Sequence, residues 1–273
     1  MNPERPCPAG VLSPPRVLAA LGAQAARFDV QWVEECASTN SALMDAPVLP
    51  AGSPVRVLGA ARQTAGRGRR GNVWQSWPGA SLTFSVRWQF DRPAAQPAGL
   101  SLLTGLALAR ALESFGLTAA KLKWPNDVLV QGAKLAGILI ELPAYRAGEP
   151  LAAVIGIGLN LDLPPGTQID GQTAVASLAQ HLPGLPDVHE LLARILLEMA
   201  GLFDHWQDAG FAPFRAAWQQ RDAFRDQSVR LFDGQRELVG RNAGVDDDGA
   251  LLLDTGSGVQ RILAGELSLR ASS

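Results

Sequence analysis

Three clusters in this sequence carry residue types suited to handling anions. The first is Gly66-Arg67-Gly68-Arg69-Arg70-Gly71, directly after Gln63-Thr64-Ala65. Its glycines remove side chains and permit positive φ, so backbone can come close to a ligand. Its arginines offer forked donors that match carboxylates and phosphates. No Gly-Lys-Ser/Thr follows, so this is not a Walker A loop. A nucleic-acid-binding segment or a solvated surface loop would share the composition. The second cluster is Lys123-Trp124-Pro125-Asn126-Asp127. Pro125 sets a turn that presents Asn126 and Asp127 together. A carboxylate there could hold Mg2+, which takes one or two carboxylates plus substrate phosphates. An ordinary Asx turn between two strands uses the same residues. The third is Lys134, just before an apolar run that ends at Glu141. It is either a point charge aimed into a cleft or a lysine snorkelling at a strand edge.

The surrounding pattern supplies elements to position these clusters. Residues 1–27 read as an irregular N-terminal segment, Pro-rich to residue 15, with one short helix over 16–27. Such a stretch is too short for a helix-turn-helix domain, which needs about three helices. Strands are expected at 29–33, 55–61, 81–88, 128–130, 137–141 and 153–160, and Ser38-Thr39-Asn40 as the N-cap stretch of a helix starting near Ser41. Leucines between 100 and 112 predict a buried helix over 97–116, and further helices follow at 187–206 and 211–221. After Phe224 the spacing changes to short strands with Gly/Asp turns, at 229–232, 237–240, 250–253 and 259–263. That spacing suggests a small barrel. The expected division is a catalytic domain over 28–223 and a small domain over 224–273.

Composition narrows the function classes. With 47% hydrophobic and 18% charged residues the chain is expected to fold around a core. A net charge of −2 gives no overall basic excess for nucleic acid, so any basic role is local. The two cysteines, Cys7 and Cys36, form no disulfide framework and no CxxC. No signal-like or membrane-spanning apolar run appears, so a cytoplasmic location without membrane attachment is expected.

Taken in order, the motifs resemble those of biotin–protein ligases (biotin–[acetyl-CoA-carboxylase] ligases) from about residue 28 to the C-terminus. They are Ser38-Thr39-Asn40, then Gln63 through Gly71 with Trp74, then Lys123 through Asp127. Lys134 through Glu141, Ile155-Gly156-Ile157-Gly158-Leu159-Asn160 and Gly265 through Arg270 complete the series. The resemblance implies an α+β fold: a mixed-sheet catalytic domain similar to class II aminoacyl-tRNA synthetases and lipoate ligases, then a small SH3-like β-barrel. It implies that biotin and ATP, with Mg2+, form biotinyl-5′-AMP. The biotinyl group then passes to a lysine on the biotin carrier domain of acetyl-CoA carboxylase or a related carboxylase.

The same resemblance distributes roles. Ser38, Thr39, Asn40 and Gln63 match polar contacts to biotin, with Gly66, Arg67 and Gly137 also on the biotin side. Arg69 and Lys134 match both biotin and adenylate contacts. Arg70, Trp74, Asn126, Asp127, Asn160 and Arg270 match the nucleotide side. Lys134, Arg69 and Asp127 are the expected catalytic residues, and Asp127 is the candidate metal ligand. Trp74, Leu135 and Ile138 are candidate apolar walls. Asn72 stands where a basic residue is common in the family. The short N-terminal segment implies the monofunctional type, without DNA binding, and pairing into a homodimer is compatible with the resemblance. A lipoate or octanoate ligase and a nucleic-acid-binding regulator are the competing readings.

Overall fold

The computed structural model describes residues 12–47, 49–50, 52–90, 99–144, 151–164, 166–167, 174–232, 236–263 and 265–268. The chain enters through helix α1 (Pro14–Leu21), which starts two residues earlier than the sequence reading placed it and passes into a 3-10 turn over Gly22–Arg27. Prolines at 14 and 15 do not prevent this, because the first helical turn has no intrahelical partner for its N–H groups. The helix docks through buried Val17 and Leu21. Arg16 also pairs with Asp187 at 2.6 Å, and the Ser13 N–H donates to His189 Nε2 at 3.0 Å. Residues 12–27 are therefore packed onto the folded body, and residues 1–11 lie outside the described residues.

Seven strands follow: β1 (Phe28–Cys36), β2 (Val55–Gln63), β3 (Ser81–Phe90), β4 (Ala120–Lys123), β5 (Asp127–Val130), β6 (Ala133–Glu141) and β7 (Leu151–Asn160). They form one mixed sheet in the order β1-β2-β3-β7-β6-β5-β4. Only β1 and β2 run parallel; the remaining pairs are antiparallel. Alternation along β3 explains what each face does. Leu82, Phe84, Val86 and Trp88 alternate with Thr83, Ser85 and Arg87. Trp88 meets Phe203 of helix α4 (Val188–Ala209), with ring centroids 4.9 Å apart. Helix α3 (Leu100–Ser114) is apolar almost all round, as a helix sandwiched between layers must be. Each leucine it buries, such as Leu103 or Leu106, contributes about 2 kcal/mol of transfer free energy.

The opposite face of β3 is polar and equally buried, because the short helix α2 (Thr39–Met44) lies over it. Ser38 caps α2, its Oγ accepting from the Ser41 N–H at 3.4 Å. Arg87, 4% exposed, donates to the carbonyls of Leu43 and Ala46 and so closes the other end of the helix. Burial, with Arg56 nearby, lowers the Arg87 pKa.

After helix α5 (Arg215–Gln219) comes a second sheet of β8 (Ser228–Phe232), β9 (Glu237–Val245), β10 (Leu251–Asp254), β11 (Val259–Ile262) and β12 (Glu266–Ser268). Its order is β11-β10-β9-β8-β12, all antiparallel, an SH3-like arrangement. The fifth strand was not expected from the sequence. The two sheets are pinned together at Asp222, which accepts from Asn242 Nδ2 at 2.9 Å and from the Phe224 N–H at 3.0 Å. Burial pushes the Asp222 carboxyl up in spite of those bonds. No helix among the described residues is long and apolar enough to cross a membrane.

Candidate active site

A cleft of about 1220 Å³ lies over the polar face of the first sheet and is closed on one side by the second. Its two ends differ in chemistry. At one end the donors and acceptors are mostly neutral and buried, with one ion pair at the margin. Thr39 and Asn40, in the first turn of α2, are 2% and 3% exposed. The Thr39 N–H donates to Gln63 Oε1 at 2.7 Å, and its hydroxyl lies 2.6 Å from Ser85 Oγ. Ser85 Oγ donates to Asn40 Oδ1 at 2.6 Å. Asn40 Nδ2 donates to Glu141 Oε2 at 3.0 Å, and Glu141 Oε1 pairs with Arg67 at 2.7 Å. The floor is flattened by glycine. A Cβ on Gly156 would collide with the Asn40 amide, and one on Gly158 would collide with the Trp74 ring.

At the other end the groups are charged. Asp127, at the start of β5, lies 2.8 Å from Lys134 Nζ and 3.6 Å from Lys123 Nζ. The shorter contact is an ion pair lying off the hydrogen-bonding direction. The turn that carries Asp127, with a cis Trp124–Pro125 bond, is held on several sides. Trp124 Nε1 donates to the Gly249 carbonyl of the small domain at 3.0 Å, and Ser101 Oγ donates to the Pro125 carbonyl at 2.8 Å. Asn126 Nδ2 donates to the Ile138 carbonyl at 2.8 Å. Lys134 is set from below by Asn160, whose Nδ2 donates to the Lys134 carbonyl at 3.3 Å.

The Arg/Gly loop bridges the two ends as a small hairpin. Arg67 and Val73 form a bridge, and the Asn72 N–H donates to the Arg69 carbonyl at 3.0 Å. Arg70 and Gly71, with φ of 54° and 79°, make a type I′ turn, which favours glycine at its second position. Arg69 reaches Asn126 Oδ1 and the Gly265 carbonyl, both at 3.3 Å, and Arg70 reaches the Phe232 carbonyl at 3.3 Å. The loop thus touches both sheets.

Most of the residues singled out in the sequence line this one cleft: Ser38, Thr39, Asn40, Gln63, Arg67, Arg69, Trp74, Asn126, Asp127, Lys134 and Gly137. Others stand behind it. Gly66 is buried against the Trp74 carbonyl, Arg70 points to the small domain, and Asn160 is buried beneath Lys134. Leu135, expected in a wall, is fully buried in the hydrophobic core instead, whereas Ile138 does line the cleft. Arg270 lies outside the described residues. Asp127 does not fit a resident metal. Both of its oxygens face lysines, so a cation there would meet two ammonium groups. Sequence reading missed Thr83 and Ser85, the functional part of Glu141, and Arg230, Phe232 and Glu237 of the small domain. The first two carry a signal in hindsight, as polar residues alternating with apolar ones in a central strand. Burial and then Glu35 push the thiol of Cys36, at the end of β1, up.

Two family models match the chain. Residues 39–160 match the biotin/lipoate A/B protein ligase family, which defines the broad class. Residues 226–270 match the biotin protein ligase C-terminal domain. A biotin–[acetyl-CoA-carboxylase] ligase of Mycobacterium tuberculosis is 32% identical over 90% of this chain and 91% of its own length. The chain belongs to the biotin protein ligase family. The bifunctional ligase/repressor BirA of Escherichia coli is 35% identical over 77% of this chain, and the match spans 65% of BirA's length. Among solved structures, a biotin protein ligase from Aquifex aeolicus in complex with biotin and ATP superposes with a TM-score of 0.76. It is 28% identical, and the match covers 89% of this chain and 99% of that one.

Proposed function

We propose that this protein activates biotin with ATP and transfers it to a lysine of a biotin carrier domain. The observation that carries the proposal is a single cleft that holds two unlike subsites, one around Thr39 and Asn40 and the other around Lys134 and Asp127. A neutral hydroxyl–amide end suits a ureido ring, and a lysine-rich end suits phosphates. The carboxylate oxygen of biotin attacks the α-phosphorus of ATP; the bond to the β-phosphate oxygen breaks, and pyrophosphate leaves. The carrier amine then attacks the acyl carbon, the bond to the phosphate oxygen breaks, and AMP leaves with the amine proton released.

Residue roles follow from electrostatics. Biotin carboxylate and ATP repel, and a fixed cation between them is most effective as charge develops on the phosphoryl group. Lys134 supplies that charge, and Asp127 positions it. Ser38, Thr39, Asn40 and Gln63 contact the ureido ring, with Arg67 and Gly137 at its margin. Arg69, Arg70, Trp74 and Asn126 enclose the adenylate, and Asn160 supports Lys134. Mg2+ enters with ATP as part of the substrate, without a resident carboxylate cage. The expected acceptor is the carrier domain of acetyl-CoA carboxylase or a related carboxylase.

The test is incubation with ATP, Mg2+, biotin and an isolated carrier domain, followed by mass measurement. One biotinyl group added per carrier supports the proposal. Labelling with lipoate in place of biotin overturns it.

A further inference from the structure

The buried polar groups at the neutral end form a chain whose hydrogen-bond direction can be worked out by counting protons. Glu141 is paired with Arg67 and can only accept, so Asn40 must turn its amide nitrogen toward it. The Leu139 carbonyl, an acceptor on the same side at 3.4 Å, demands the same orientation. Asn40 Oδ1 then faces Ser85, and the single Ser85 proton is spent on it. Two oxygens 2.6 Å apart need a proton between them, so the Thr39 hydroxyl donates to Ser85. The 3.1 Å approach of Thr39 Oγ1 to Gln63 Oε1 is left without a proton of its own. Thr39 Oγ1 and Gln63 Oε1 each keep acceptor capacity, and both residues line the cleft.

We infer that Glu141 and Ser85 are positioning residues that fix Thr39 and Gln63 as acceptors for the N–H groups of a neutral ligand, here the ureido ring of biotin. The inference rests on the function proposed above and adds a direction to the site. In the reverse direction Ser85 would donate to Thr39, and Thr39 to Gln63 Oε1. Gln63 Oε1, which already accepts from the Thr39 N–H, would then be filled by the Thr39 hydroxyl, and Thr39 Oγ1 would give one of its two acceptor sites to Ser85. That arrangement requires Asn40 to present its oxygen toward position 141, which a carboxylate forbids.

Glutamine at 141 permits it. Arg67 only donates, so it would hold the glutamine oxygen, leaving the glutamine nitrogen facing Asn40. Asn40 would then flip, and the chain would reverse. Alanine at 141 offers no such donor, and the Leu139 carbonyl keeps Asn40 in its native orientation. The isosteric change is therefore expected to do more harm than the truncation, the opposite of what a packing role gives.

Steady-state carrier labelling tests this. Glu141→Gln is expected to raise KM for biotin about tenfold and Glu141→Ala about threefold, with KM for ATP unchanged in both. Ser85→Ala, a small deletion within β3, should also raise KM for biotin about tenfold without moving KM for ATP. A larger KM for biotin in Glu141→Ala than in Glu141→Gln overturns the directional chain, and so does an unaltered KM for biotin in Ser85→Ala. Failure of the unsubstituted protein to use biotin at all overturns the proposed function, and this inference with it.

Discussion

The two ends of the cleft solve opposite problems. Around Thr39, Ser85 and Asn40 the groups are almost wholly enclosed, and order comes from hydrogen bonds of 2.6–3.0 Å arranged in series, neutral up to the last, which ends on the Glu141 carboxylate. Around Lys134 and Asp127 the side chains keep 20% and 12% exposure, and order comes from charge. A neutral network loses its function when one donor or acceptor is misdirected, because an unmet buried polar group costs about 1–3 kcal/mol. A charged cluster tolerates angular error but depends on each charge being present. The neutral end is thus suited to selecting a ligand, and the charged end to lowering a barrier.

The sharpest way to break this contrast is Lys134→Ala. It should slow adenylate formation by about 10²–10³-fold, on the scale of losing a group that stabilises developing charge. Biotin affinity, measured calorimetrically without ATP, should fall by much less. Equal losses in both measurements would erase the distinction between the ends. Gly156→Ala probes the neutral end by forcing a methyl group into the Asn40 amide. Overpacking of this kind costs about 1–3 kcal/mol, so biotin binding should weaken roughly tenfold while pyrophosphate release per bound biotin is maintained. Arg69→Gly removes the links from the loop to Asn126 and Gly265. A several-fold rise in labelling of bystander proteins is expected, read by blotting; labelling at the unsubstituted level would remove Arg69 from the retaining role.

The mildest change serves as a control far from the contrast. Asp222 has a raised pKa in the folded protein, caused first by burial. The stability its protonated form contributes is fully present below the unfolded carboxyl value, about 3.9, and is lost as pH rises through the raised value. Asp222→Asn cannot ionise. Its melting temperature relative to the unsubstituted protein should therefore climb across that window, with both ends of the cleft working normally. A difference that does not vary with pH would rule out this titration.

What the sequence made legible follows physical locality. The Arg/Gly loop, the Lys123–Asp127 turn and Lys134 announce their chemistry through residue type, and the turn residues also mark their conformation. Strand alternation placed Thr83 and Ser85 on one face of β3, but alternation cannot say whether that face meets water or a helix. Here α2 covers it, and its polar residues become the wall of the site. Glu141 acquires its role only because β6 ends beside Arg67 and Asn40, distant in sequence. The contributions of Arg230, Phe232 and Glu237 depend on how two sheets meet, which no local pattern encodes. The start of α1 was misplaced for a simpler reason: proline disfavours a helix interior, not its first turn.

The hairpin form of the Arg/Gly loop has a thermodynamic consequence. Fixing backbone costs about 1–2 kcal/mol per residue in conformational entropy. A loop that must order itself around a ligand incurs that loss on every binding event. Here the Arg67–Val73 bridge and the type I′ turn set much of the backbone before any ligand arrives. In the proposed function, an adenylate would then be enclosed with a modest entropic penalty, and more of the attraction between guanidinium and phosphate would survive as affinity.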